Sequence, residues 1–211
     1  MGKRISALIQ ENPKLKLVGE ATRQNPLSNC ISGCDVIIDF SAVPSTLQAL
    51  PIATEHHIPM MIGTTGFNAA QMEMIRQAAQ KIPMVYSSNT SLGVNVLWKL
   101  IEVASKVLKD DWKIAITETH HVDKKDAPSG TAKTMADVVE QNQKMRPAIE
   151  SLREGEVIGD HKIIFSSPLE ILGIQHQAKN RDIFALGAIR AAEWLANKKP
   201  GLYTMAQVLE L

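Results

Sequence analysis

Asp35-Val36-Ile37-Ile38-Asp39-Phe40 is a short apolar run rich in β-branched residues, the pattern of a parallel strand covered on both faces. The residues around it repeat one theme. A helical stretch from Ser45 to His56, kinked at Pro51, follows the run. Then come a strand from Pro59 to Ile62, the turn Gly63-Thr64-Thr65-Gly66, and a helix whose Asn68 and Gln71 have the spacing of a capping box. A third round has Met84-Val85-Tyr86 as strand, Ser87 to Ser91 as loop and Leu92 to Leu108 as a long amphipathic helix. Strand, loop and helix in regular alternation build a doubly wound parallel sheet.

Upstream, Ile5, Leu8 and Ile9 recur at helical spacing until Asn12-Pro13, and Leu15 to Ala21 is expected as a strand, followed by a polar loop through Arg23 and Pro26. Beyond Asp111 the texture changes. Lys113 to Thr119 and His161 to Lys179 alternate over longer strands, with one helix, Thr131 to Gln143, between them. That predicts a second, α+β unit with a mixed sheet. A closing helix places Ile183, Leu186, Ile189, Ala192 and Leu195 on one face, and a Pro200-Gly201 break precedes a short final helix.

The 23 basic and 22 acidic side chains leave a net charge of +1, too little to hold a polyanion, so a small molecule and not nucleic acid is the expected partner. Only Cys30 and Cys34 could form a disulfide, and three residues separate them, one more than the redox Cys-x-x-Cys pattern; they read as reduced thiols. No apolar run reaches the roughly 20 residues that span a bilayer, and no signal core is visible at the N-terminus. No membrane association and a cytoplasmic location are expected.

The densest chemistry lies in His120-His121-Val122-Asp123-Lys124-Lys125-Asp126-Ala127-Pro128-Ser129-Gly130-Thr131, between a strand and a helix. Two imidazoles titrate near neutral pH, and Lys124 adds a cation. Ser129, Gly130 and Thr131 open a helix whose first backbone N–H groups favour an anion, with no side chain on Gly130 to obstruct it. Together they describe a carboxylate cradle beside a proton donor. A metal site on His120, His121, Asp123 and Asp126 is disfavoured by irregular spacing and by the repulsion of Lys124, so no metal is expected.

This segment resembles the H-H-x-x-K-x-D-A-P-S-G-T signature of the dihydrodipicolinate (4-hydroxy-tetrahydrodipicolinate) reductase family at every specified position. Asp35 to Ser41, Gly63-Thr64-Thr65-Gly66, Asn89 with Ser91-x-Gly93-Val94-Asn95, Arg153-x-Gly155, Gly159-x-His161 and Phe184-x-x-Gly187-Ala188-x-Arg190 follow as further landmarks in order. The resemblance implies a Rossmann-like cofactor domain over 1–90 and 181–211, a substrate and oligomerisation domain over 91–180, a homotetramer, and reduction of a cyclic dicarboxylate of lysine biosynthesis with NADPH or NADH. It assigns catalysis to His120 and Lys124 and substrate contacts to His121, Gly130 and Thr131.

For the cofactor, the resemblance points to Gly63, Thr64 and Thr65 and to the loop Ser87, Ser88, Asn89 and Thr90, where Thr90 replaces a phenylalanine often found in the family. Met1-Gly2 resembles the end of the family's glycine-rich G-R-M-G loop, so the first strand and most of that loop are expected to be absent by comparison with the family. A non-catalytic member that binds dicarboxylate or only assembles is the rival reading on that ground. Arg23 falls where an acidic residue often holds the ribose of NADH; a guanidinium there suits the 2'-phosphate of NADPH, so NADPH is expected to be preferred.

Overall fold

Three strands of three or four residues each, β1 (Ile37–Asp39), β2 (Met60–Ile62) and β3 (Pro83–Tyr86), lie side by side in parallel register. Strands this short persist because both faces are covered. Met60, Ile62 and Met84 enter one apolar cluster, while Met61 and Val85 enter the other, as the period of two along a strand requires. Each such side chain contributes about 1.5–3 kcal/mol on full burial. The structure, a computed structural model, describes residues 1–108 and 111–211.

The chain packs as two units, Met1–Thr90 with Asp182–Glu210, and Ser91–Arg181. In the first, helices α1 (Gly2–Glu11), α2 (Val43–Glu55) and α3 (Ala69–Ala79) surround the parallel sheet. In the second, α4 (Leu92–Val107) and α5 (Gly130–Gln143) cover one face of a mixed sheet built from β4 (Lys113–His120), β5 (Ile149–Arg153), β6 (Asp160–Ser166) and β7 (Ile171–Gln177). Its order is β5-β4-β6-β7, with β4 and β5 parallel and the other neighbours antiparallel. The chain then returns to the first unit as α6 (Asp182–Leu195), β8 (Gly201–Tyr203) and α7 (Met205–Leu209), which makes the first sheet β1-β2-β3-β8. The α/β class with a second mixed-sheet unit is therefore as the sequence reads, and the Asn68–Gln71 capping box is present.

Several local expectations are corrected. Leu15–Ala21 forms no strand: an extended segment becomes one only when a neighbouring backbone closes the ladder, and none does so among the described residues; Glu20 O instead accepts from Asn25 Nδ2 at 3.1 Å. Two strands were not read from the sequence. β5 is half exposed and polar, and β8 begins on the Gly201 that suggested a break. Leu186 is 51% exposed, because the buried side of α6 is made of Ala185, Ala188, Ala191, Ala192 and Leu195. Small residues bring that helix close to its neighbours. At Gly187 an added Cβ would sit 1.7 Å from the carbonyl oxygen of Thr90, so only glycine fits there.

Candidate active site

The pairing of β4 with its neighbours turns a sequence pattern into a chemical gradient. Ile114 stands opposite Phe165 and Ile116 opposite Ile163, but the next pair on the same face is Glu118 opposite His161. His161 is in turn paired with His176 on β7, and Glu118 and His120 with Ser151 and Arg153 on β5. The helix-covered face is thus apolar at one end and ends in a row of buried polar groups at the other. His120 and His161 meet edge to face with centroids 5.1 Å apart, and His161 and His176 are 6.4 Å apart.

Glu118 is fully buried. Its Oε2 is hydrogen-bonded to His120 Nδ1, while Oε1 accepts from Arg153 Nη1 at 3.1 Å, Arg153 Nη2 at 3.2 Å and Ser129 N at 3.3 Å. Burial alone would raise its pKa. The Ser151 dipole, His120 and Arg153 together outweigh burial and hold Glu118 below the usual carboxylate range, although the Ser151 hydroxyl has no hydrogen bond of good geometry among the described residues. Burial pushes the His120 imidazole down; Glu118 opposes the shift, and the Lys124 and Arg153 charges add to it. His161, buried and facing other imidazoles, is pushed down to about 3. Burial also lowers His176.

Lys124 lies on the loop after β4, with its Nζ 2.6 and 2.8 Å from the two Asp126 carboxylate oxygens. Arg153 binds the same loop through its backbone, donating from Nε to Lys124 O at 3.2 Å and from Nη2 to Asp126 O at 2.6 Å. The loop leads to Ser129, whose hydroxyl caps α5 by accepting from Ala132 N at 3.2 Å and lies 3.1 Å from His161 Nε2. Gly130 is exposed, and a Cβ there would meet no atom within 4 Å. Open space before a helix N-terminus suits a carboxylate. Thr131 follows it on α5, and its carbonyl accepts from Trp98 Nε1 at 3.3 Å. His121 is half buried, its carbonyl turning the loop by accepting from Lys124 N at 3.1 Å. The sequence reading assigned no site role to Glu118 or His176, and named Arg153 and His161 only as landmarks of the resemblance; among the described residues no cluster suits a metal.

In the first unit, the loops after β1, β2 and β3 leave the same, C-terminal rim of the parallel sheet, where such folds bind ligands. Asp39 knots two of them together. Its carboxylate accepts from Ser41 N at 3.1 Å, Ser41 Oγ at 2.5 Å, Thr46 Oγ1 at 2.5 Å and Thr64 Oγ1 at 2.9 Å. Thr64 therefore braces the rim from below, and the exposed Thr65 beside it faces outward. Gly63 has its own packing reason, since a Cβ would run into the Phe40 ring at 2.3 Å. Ser87 donates to Asn89 O at 2.7 Å, and Thr90, 2% exposed, donates to Phe184 O at 2.6 Å, which leaves Ser88 as the exposed hydroxyl of that loop. Met1 and Gly2 start α1, with Met1 O accepting from Arg4 N at 2.9 Å. Arg23 is exposed, with no ion pair to it among the described residues.

A nicotinamide dinucleotide fits this rim through two features: polar loops braced from beneath, and a helix N-terminus, α1, for its phosphates. A parallel sheet with such a rim, in one chain with a mixed-sheet unit that sets an imidazole and a lysine beside a helix N-terminus, defines a dinucleotide-linked α/β oxidoreductase. Comparison with known proteins makes the class particular. Residues 1–90 match the family model "Dihydrodipicolinate reductase, N-terminus", and residues 93–209 match "Dihydrodipicolinate reductase, C-terminus".

The 4-hydroxy-tetrahydrodipicolinate reductase of Syntrophus aciditrophicus (strain SB) is 38% identical over 252 aligned positions, covering 99% of this chain and 94% of that protein. That of Akkermansia muciniphila is 39% identical over 231, covering 100% and 94%. Among solved structures, a dihydrodipicolinate reductase from Paenisporosarcina sp. TG-14 with dipicolinate bound superposes with a TM-score of 0.81 at 19% identity, over 98% of this chain and 94% of that one. An amine dehydrogenase from Mycobacterium smegmatis shares the fold more loosely, with a TM-score of 0.55 at 8% identity over 85% and 76%. The chain belongs to the dihydrodipicolinate reductase family. It is an oxidoreductase that uses a nicotinamide cofactor on a small-molecule substrate.

Proposed function

We propose that this protein reduces 4-hydroxy-tetrahydrodipicolinate to tetrahydrodipicolinate, in the diaminopimelate route to lysine, with His120 and Lys124 as its catalytic pair. The observation that carries the reading is the loop from His120 to Gly130, in which one strand end and one helix N-terminus hold an imidazole, an ammonium and an open carboxylate cradle. The 4-hydroxyl leaves as water, and a bound reduced cofactor would supply hydride to C4 of the dehydrated ring. His120 delivers the proton that balances it, and Lys124, steadied by Asp126, stabilises the charge that develops. His121, Gly130 and Thr131 hold the dicarboxylate. The cofactor is gripped by Gly63, Thr64 and Thr65, by the loop Ser87, Ser88, Asn89 and Thr90, and at its phosphates by Met1 and Gly2.

NADPH is the preferred cofactor in this reading, because Arg23 offers a bidentate partner to the 2'-phosphate and nothing to orient two hydroxyls. The cytoplasm is the proposed location; among the described residues no helix is long and apolar enough to cross a membrane. A homotetramer assembled through residues 91–180 is the proposed state. The test is a steady-state assay of the purified protein with NADPH and freshly generated 4-hydroxy-tetrahydrodipicolinate. Cofactor oxidation that depends on the dicarboxylate is expected, and its absence refutes the proposal.

A further inference from the structure

Glu118 contributes nothing to the roles assigned above, yet it is the fully buried carboxylate around which the loop is organised. Burying a carboxylate costs several kcal/mol unless charge and hydrogen bonds offset it. Arg153 supplies that offset through Oε1 alone, and Ser129 N adds to it on the same oxygen. The second oxygen, Oε2, is turned to His120 Nδ1. Since an ionised carboxylate only accepts, Nδ1 must carry the hydrogen. The other nitrogen, Nε2, is then the one left for the substrate in the role proposed for His120. It lies 3.0 Å from where a Cβ on Gly159 would stand, so glycine at that position leaves the nitrogen its space.

The geometry points to Glu118 as a positioning residue that fixes the tautomer and orientation of His120, with Arg153 locking Glu118 and the Lys124 loop into one frame. This rests on the reading of His120 as the proton donor. A neutral ring held this way has a bare Nε2, so delivery of a proton requires the imidazolium, which Glu118 in contact with the ring and Asp126 on the loop favour. Lys124 on the loop and Arg153 on β5 oppose it, as does burial, while His161 on β6, pushed down to about 3, stays neutral beside it. Charge complementarity therefore makes Glu118 the group that keeps the protonated form within reach.

The experiment compares the parent protein with Glu118→Gln and Glu118→Asp. In the Gln variant kcat is expected to fall about tenfold to a hundredfold, with KM changed less than about threefold, and the alkaline limb of kcat is expected to move to lower pH. Asp, which keeps the charge, is expected to return that limb toward the parent position. A second measurement does not depend on turnover or on any variant: nitrogen NMR of the unliganded parent is expected to show His120 as the Nδ1–H tautomer. Turnover in the parent with an unmoved limb in Glu118→Gln overturns the proposal, as does an Nε2–H tautomer. A parent without turnover sinks the proposed function instead and leaves the tautomer to decide this inference.

Discussion

Replacing Gly187 by alanine puts a methyl group where the structure has a carbonyl. The added Cβ would stand 1.7 Å from Thr90 O, 2.7 Å from Thr90 C and 3.4 Å from Thr90 Cβ. Reaching even the 3.0 Å floor of real contacts requires the helix and the loop to part by more than about 1 Å, in a region with little freedom. Thr90 is 2% exposed and bound through its hydroxyl to Phe184 O on the same helix at 2.6 Å. Overpacking of this kind costs about 1–3 kcal/mol, and a clash with backbone belongs at the upper end. Alanine regains about 1 kcal/mol of helix propensity. The net loss is therefore about 2 kcal/mol, or roughly 4–8 °C in Tm for a chain of this size. Thermal unfolding followed by circular dichroism measures it, and an unchanged or raised Tm in Gly187→Ala would refute the packing argument.

Three further outcomes are expected. His120→Gln and Lys124→Ala each lower kcat by about a hundredfold to ten-thousandfold, read by steady-state assay; near-parent turnover in both removes them from the chemistry. Arg23→Ala lowers the ratio of kcat/KM for NADPH over NADH, and an unchanged ratio takes Arg23 out of the cofactor site. Stability depends on pH through His161, whose pKa is about 3 in the folded protein against about 6.5 unfolded. Unfolding takes up a proton between those values, so the contribution is whole above about pH 6.5 and is lost as pH falls toward 3, at no more than about 1.4 kcal/mol per pH unit. His120 and His176 are shifted in the same direction. Urea midpoints measured between about pH 7 and pH 4 are expected to fall, and to fall less steeply in His161→Gln; parallel declines would contradict the assignment.

The parallel sheet was legible because Ile37, Met60–Ile62 and Met84–Val85 are apolar without alternation, which only a doubly covered strand tolerates. The loop chemistry was legible because His120, Lys124 and Gly130 fall within one short stretch of the chain. What escaped was whatever depends on register. Glu118 and Arg153 meet only because β5 pairs with β4, and β5 itself hides in a half-exposed polar stretch. One signal was available: Glu118 and His120 are two apart on a strand and so share a face. Leu186 misled for the opposite reason, since a helix packed closely on a sheet buries alanines and leaves the larger leucine outside. Leu15–Ala21 has strand composition, yet composition cannot provide the neighbouring backbone that a ladder needs.

Hydride transfer to a ring carbon of the lysine-pathway dicarboxylate is the step on which every role proposed for this protein depends. Reduced cofactor carrying deuterium at both positions of its nicotinamide C4, incubated with the protein and 4-hydroxy-tetrahydrodipicolinate, tests that step directly by mass spectrometry and NMR of the product. One deuterium on ring C4 of tetrahydrodipicolinate is expected, appearing in step with cofactor oxidation and slowed by about a hundredfold to ten-thousandfold in His120→Gln. Product free of deuterium, or cofactor oxidation without the dicarboxylate, would contradict the account.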